Sequence, residues 1–202
     1  MKLILIRHGE TTWNKHRRIQ GSRSNTQLNE VGYEQADRIA SLLKQQRIDA
    51  IYSSPLKRAI DTAQTIATAC GLQIRTTPEL QEIDAGELDG LSEQDMGDRY
   101  LAFWGEWRKG DPSLHLPGGE SLQELQRRVW WAIERVLERH PNDTVALVGH
   151  LFTNLVIISK ALGLDLHNMR RLRLDPASIS IIEFTIQGNT LLLFNDTCHL
   201  RE

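Results

Sequence analysis

Residues 3–10 read Leu3-Ile4-Leu5-Ile6-Arg7-His8-Gly9-Glu10, and the architecture follows from this stretch. Its four apolar residues form a short β-leaning run, ended at once by a charged group. From Asn29 to about Gln46, Val31, Ala36, Ile39, Ala40, Leu42 and Leu43 recur at helical spacing, so the unit is strand, loop, helix. The unit repeats. Ile48 to Tyr52 is again a β-leaning run, and Ser54-Pro55 offers an N-cap and a first-turn proline for a helix to about Cys70, closed by Gly71. Leu72 to Arg75 reads as a third short strand, and the capping box Ser121-x-x-Glu124 opens a helix to Arg139. Thr144 to Val148 is the most buried-looking strand, followed by Gly149-His150 and a helix ending near Gly163. Ser178 to Thr185 and Leu191 to Asn195, separated by Gln187-Gly188-Asn189, predict a terminal hairpin. Strands alternating with helices imply a layered α/β fold with a largely parallel sheet.

The rest of the composition agrees with one globular domain over residues 1–202. The chain is 40% hydrophobic and 25% charged, and 24 Lys and Arg against 26 Asp and Glu give a formal charge of -2. No global positive field exists to attract nucleic acid or an acidic membrane, so anion recognition must be local. Two cysteines, Cys70 and Cys198, are too few for a disulfide framework. With an opening apolar run too short for a signal peptide and no membrane-span pattern, the expectation is a cytoplasmic, soluble protein. His16-Arg17-Arg18 and the run from Met169 to Arg173 read as solvated basic faces. Trp130 and Trp131 are adjacent in a helix and so face different ways, offering one for a homodimer contact.

Between about 91 and 119 the periodicity breaks down, in a segment carrying Tyr100, Phe103, Trp104, Trp107 and His115 before Pro117-Gly118-Gly119. Two readings stay open, a lid or specificity loop and a set of aromatics packed on the sheet edge.

In open α/β sheets ligands bind beyond the carboxyl ends of the strands. There the sequence places Arg7-His8, Arg58 in the first turn of the second helix, and Gly149-His150. A cation in a first turn opposes the helix dipole, and an anionic ligand would give Arg58 its reason. Two guanidinium groups and the amino end of the helix after His150 suit a tetrahedral phosphate. The same arginines would repel a divalent cation, so no metal site is expected, and no glycine-rich nucleotide loop follows any strand.

The strings LIRHGETTWN at 4–13 and Asn14, Gln20-Gly21, LNEVGYEQA, IYSSPLKRAIDTA at 51–63, LQEIDAGELDGL at 80–91, PGGES at 117–121 and LVGH at 147–150 resemble the histidine phosphatase superfamily, in order and over nearly the whole chain. That resemblance implies a three-layer α/β/α sandwich with a mostly parallel central sheet, of the phosphoglycerate mutase-like kind. It implies a metal-independent phosphomonoesterase without a cofactor, acting on a small phosphorylated metabolite through a covalent phosphohistidine. Carried over by motif, His8 is the nucleophile, Arg7, Arg58 and a protonated His150 bind the phosphoryl group, and Glu82 is the proton donor, with its pKa raised in a dry site. Asn14 and the backbone at Gln20-Gly21 would lie beside the phosphate, as would Leu151, which follows His150 where many members have Gly. Leu88 stands where a Trp is common. The insertion has only Arg99, Arg108 and Lys109 against several acids, which favours a phosphatase, with phosphoserine or α-ribazole phosphate as candidate substrates. The alternatives are a phosphoglycerate mutase and a non-catalytic binding module for phosphate esters.

Overall fold

The computed structural model describes residues 1–92, 94–97, 102 and 105–201. Its elements in chain order are β1 (Lys2–Arg7), α1 (Thr12–Lys15), α2 (Glu30–Leu43), β2 (Ala50–Ser53), α3 (Lys57–Cys70), β3 (Ile74–Thr76), α4 (Leu122–Arg139), β4 (Thr144–Gly149), α5 (Leu151–Ala161), β5 (Ile179–Thr185) and β6 (Gly188–Asp196). One six-stranded sheet runs in the order β3-β2-β4-β1-β5-β6. The first four strands are mutually parallel and the terminal hairpin adds β5 and β6 antiparallel.

Successive side chains of β1 leave opposite faces of the sheet, and each face has its own core. Ile4 and Ile6 pack with Ile39 and Leu43 of α2 and Ala63 and Ile66 of α3. Leu3 and Leu5 pack with Leu125 and Ile133 of α4 and Val156 and Ile157 of α5. Burying each of the Leu, Ile and Val side chains contributes about 1.5–3 kcal/mol, which a half-covered strand would forgo on one face. The expected three-layer sandwich is what results.

The helix ends follow local chemistry. The Asn29 side chain accepts from the Gly32 amide at the start of α2, the Ser121 and Glu124 capping box opens α4, and Gly71 closes α3 at φ 67. Three boundaries differ from expectation. Helix α3 begins at Lys57, capped by Leu56 without a side-chain bond, because the Ser54 hydroxyl turns toward His150. Strand β3 pairs at residues 74–76 rather than 72–75, where its partner β2 offers a register, and β6 starts at Gly188, inside the expected turn.

In the 91–119 insertion, Tyr100, Phe103 and Trp104 lie outside the described residues. Trp107 packs edge-on to Phe152 of α5, with ring centroids 6.3 Å apart, and His115 pairs with Glu124. Trp130 lies against Phe184, while half-exposed Trp131 carries the Arg135 guanidinium over its face. Among the described residues no helix is long and apolar enough to cross a membrane.

Candidate active site

Strand register brings the charged termini level. Arg7 pairs with Gly149 and Ser53 with Val148, so β1, β2 and β4 end together at the sheet's carboxyl edge. The first residues beyond, His8 and His150, bring their rings to a 5.2 Å centroid separation at 61°. Close approach of α2 holds the turn after β1. A Cβ on Gly9 would meet the Gly32 carbonyl oxygen at 2.5 Å, and the Gly9 amide donates to Thr62 Oγ1 of α3.

His8 Nδ1 lies 2.8 Å from the Gly9 carbonyl oxygen. A carbonyl only accepts, so Nδ1 carries the ring proton and Nε2 keeps its lone pair. Burial, then the charges of Arg58 and Arg7, hold the His8 pKa well below its ordinary value, with the bond to Gly9 opposing. The ring is therefore a neutral nucleophile at neutral pH. His150 Nε2 lies 2.8 Å from Ser54 Oγ, which already accepts from the Leu56 amide. Donation of the Ser54 proton to Nε2 would put the His150 ring proton on Nδ1, the ring nitrogen without a partner. Burial, Arg58, His8 and Arg7 push the His150 pKa well down. Without an anion beside it the His150 ring is therefore held toward its neutral form, and its Nδ1 is the ring nitrogen left without a partner.

Arg7 Nη1 donates to the Leu174 carbonyl, and Arg58, fully buried, donates to the carbonyls of Ser24 and Gly21. Desolvation lowers both guanidinium groups to about 10 against the pull of Glu82, so both stay cationic at pH 7. The Gly21 amide donates to Asp89 at 3.1 Å while its carbonyl accepts from Arg58, so the Gly21 backbone orients that guanidinium. A Cβ there would meet the Ala85 amide nitrogen at 2.8 Å. Gln20 Oε1 accepts from Thr11 and Thr26, and the Asn14 side-chain oxygen accepts from Thr11 in the capping box of α1. Among the described residues, eight buried side-chain N or O atoms lack a partner, and four are nitrogens on these segments: Arg7 Nε, Gln20 Nε2, Arg58 Nε and His150 Nδ1.

Glu82 is 4% exposed and takes over the amino end of α5. Its Oε2 accepts from the Phe152 amide at 3.1 Å, and its Oε1 from the Thr153 and Ile83 amides at 3.2 and 2.9 Å. The helix terminus expected for phosphate thus binds mainly this carboxylate, leaving the Leu151 amide as the first-turn donor that Glu82 does not take.

What holds Glu82 gives no sign in the local sequence. Arg128 of α4 uses all five guanidinium donors: Nε and Nη2 to the two oxygens of Glu120 at 2.8 and 2.9 Å, Nη1 to the carbonyls of Glu79 and Gln81, and Nη2 to that of Glu82. Thr153 Oγ1 adds a bond to the Gln81 carbonyl. Glu10 and Asp84, the nearby carboxylates, have partners elsewhere in Asn29 and Arg23.

The chain belongs to the histidine phosphatase superfamily, branch 1, whose family pattern matches residues 3–197. Its class is that of the phosphatases, phosphoric monoester hydrolases. It is 37% identical to "Phosphoserine phosphatase 1" of Hydrogenobacter thermophilus over all of this chain and 95% of that one. It is 36% identical to "Probable phosphoglycerate mutase GpmB" of Yersinia pestis over 99% of this chain and 95% of that one. A phosphoserine phosphatase mutant of Entamoeba histolytica, solved in complex with phosphoserine, superposes at a TM-score of 0.87 with 29% identity, covering 99% of both chains.

Proposed function

We propose that the chain hydrolyses a small phosphate monoester without a metal ion, through a phosphoryl group carried on Nε2 of His8. The observation that carries this reading is the set of buried, unpartnered nitrogens on Arg7, Arg58 and His150, residues that act on or stack near His8, with a further one on Gln20, beside a nucleophile whose tautomer is set by Gly9. Buried donors normally have partners, and a phosphate's oxygens would supply them. In the first step Nε2 attacks phosphorus, the ester P–O bond breaks, and the departing oxygen takes a proton from Glu82. In the second, Glu82 takes a proton from water, whose oxygen displaces His8 and releases inorganic phosphate. Arg7, Arg58 and the Nδ1–H of His150 neutralise the equatorial oxygens, where phosphoryl transfer needs help most. Two positive charges beside the imidazoles disfavour a divalent cation there.

Phosphoserine and α-ribazole phosphate are the first substrates to test, since relatives bear both activities in their names. A mutase would transfer phosphate between substrates faster than to water. The free Cys70 and Cys198 fit a reducing cytoplasm.

Trapping the intermediate tests the mechanism. Alkaline quench during turnover should leave acid-labile, alkali-stable phosphate on His8, and His8→Ala should lose both trapped phosphate and turnover. Phosphate on a serine, or persistent turnover by His8→Ala, refutes it.

A further inference from the structure

A cavity of about 460 Å³ opens beside Leu151 and Phe152. Phe152 is also the residue whose amide holds Oε2 of Glu82, so the cavity adjoins the group that would protonate the departing oxygen. Its walls are apolar, with Trp107 edge-on to Phe152 and Leu155 and Leu172 beside them. Three arginines from distant parts of the chain, Arg17, Arg108 and Arg170, line it as well, and no Asp or Glu does among the described residues. Among the described residues none of these arginines has an ion-pair partner or a side-chain hydrogen bond. Arg17 stands at φ 51 because it closes α1 in the left-handed position of a helix end, with the Arg18 amide donating to the Trp13 carbonyl. The two basic runs that read as separate solvated faces in the sequence therefore contribute to one cavity.

Resting on the phosphatase reading above, we infer that this cavity receives the alcohol part of the substrate, and that the alcohol carries an apolar ring-sized body with an anionic group at its far end. The size lies in the roughly 300–1,000 Å³ range of pockets that enclose whole organic ligands, and a serine or glycerol leaving group would leave most of it unfilled. Apolar walls reward burial of a hydrocarbon body. Unpaired guanidinium groups at the rim reward a carboxylate or second phosphate, by the smaller factor expected of exposed charges.

The test compares glycerol 3-phosphate, 3-phenylpropyl phosphate and the para-carboxylated 3-phenylpropyl phosphate. From the first ester to the second, kcat/KM should rise at least about tenfold, the scale of a filled apolar pocket. The carboxylate should add about two- to fivefold, and Arg108→Gln with Arg170→Gln should abolish that second increment but keep the first. Leu172→Trp should lower the phenylpropyl to glycerol ratio at least about fivefold. The arginine pair is exposed, so its result stands even if Leu172→Trp fails to fold. Calorimetric binding of the same esters to His8→Ala should show the same order. Equal kcat/KM and equal affinity for all three esters overturn the inference while leaving hydrolysis intact. Absence of phosphate release with the affinity order preserved overturns the hydrolytic reading and sustains the cavity's role.

Discussion

Replacing Arg128 separates the support of Glu82 from the support of the fold. Arg128→Met keeps the aliphatic stem packed but removes five donors, leaving the carboxylate of Glu120 and the carbonyls of Glu79, Gln81 and Glu82 without their partner. Both members of the pair are only partly exposed, at 27% and 14%. Breaking a buried pair on one side costs about 3–5 kcal/mol, and the residual solvent contact puts this one near about 3. In a chain of this size that lowers Tm by roughly 6–12 °C. The second effect is chemical. The Glu82 carbonyl is released from the clamp, and a displacement of about 1 Å at a catalytic group costs on the order of 10²-fold. The loss should fall on esters whose leaving oxygen needs a proton. Single-turnover rates at a temperature where the variant is folded should therefore drop about 10²-fold for an alkyl phosphate and less than about tenfold for nitrophenyl phosphate. Arg128→Lys, a single point charge unable to reach all the acceptors, should recover part of the Tm and little of the alkyl rate. An unchanged alkyl-to-aryl ratio in a destabilised but folded Arg128→Met would show that the clamp serves stability alone.

Two further outcomes are expected. Glu82→Gln should slow phosphorylation of His8 by about 10²- to 10⁴-fold with alkyl phosphates and only mildly with a nitrophenyl ester; equal losses in single turnover would send the search for the acid to Glu10 or Asp84. His8 and His150 both have folded pKa values well below their ordinary one, so their contribution is fully present above about pH 6.5 and is lost as the pH falls from there toward the folded values, because the unfolded chain takes up the protons first. Each should add up to about 1.4 kcal/mol of destabilisation per pH unit in that window, and urea unfolding of His8→Asn with His150→Gln between pH 6.5 and 5 should show the flatter slope. An identical slope would mean that neither ring is held neutral by the fold.

Much of the molecule was legible in the sequence because much of it rests on neighbours along the chain. The alternation of Leu3, Ile4, Leu5 and Ile6, the Ser121–Glu124 capping box and the left-handed Gly71 act within a few residues, so spacing and residue type suffice to place them. Arg7, His8 and His150 belong to strand ends, and a parallel sheet brings strand ends together by its hydrogen-bond register. What the tertiary structure alone decided involves residues whose partners lie far away along the chain. Ser54, read as a helix cap, instead meets His150; Gly21 gives its amide to Asp89 and its carbonyl to Arg58; and the amino end of α5 holds Glu82. Arg128, with no local signal, reaches back to Glu79, Gln81 and Glu82, and Arg17, Arg108 and Arg170 meet at one cavity. A side chain's local propensity is a property of its own segment, but which acceptor it finds depends on how crossover connections stack one segment on another, and that geometry exists only once the sheet and its two helical layers have closed.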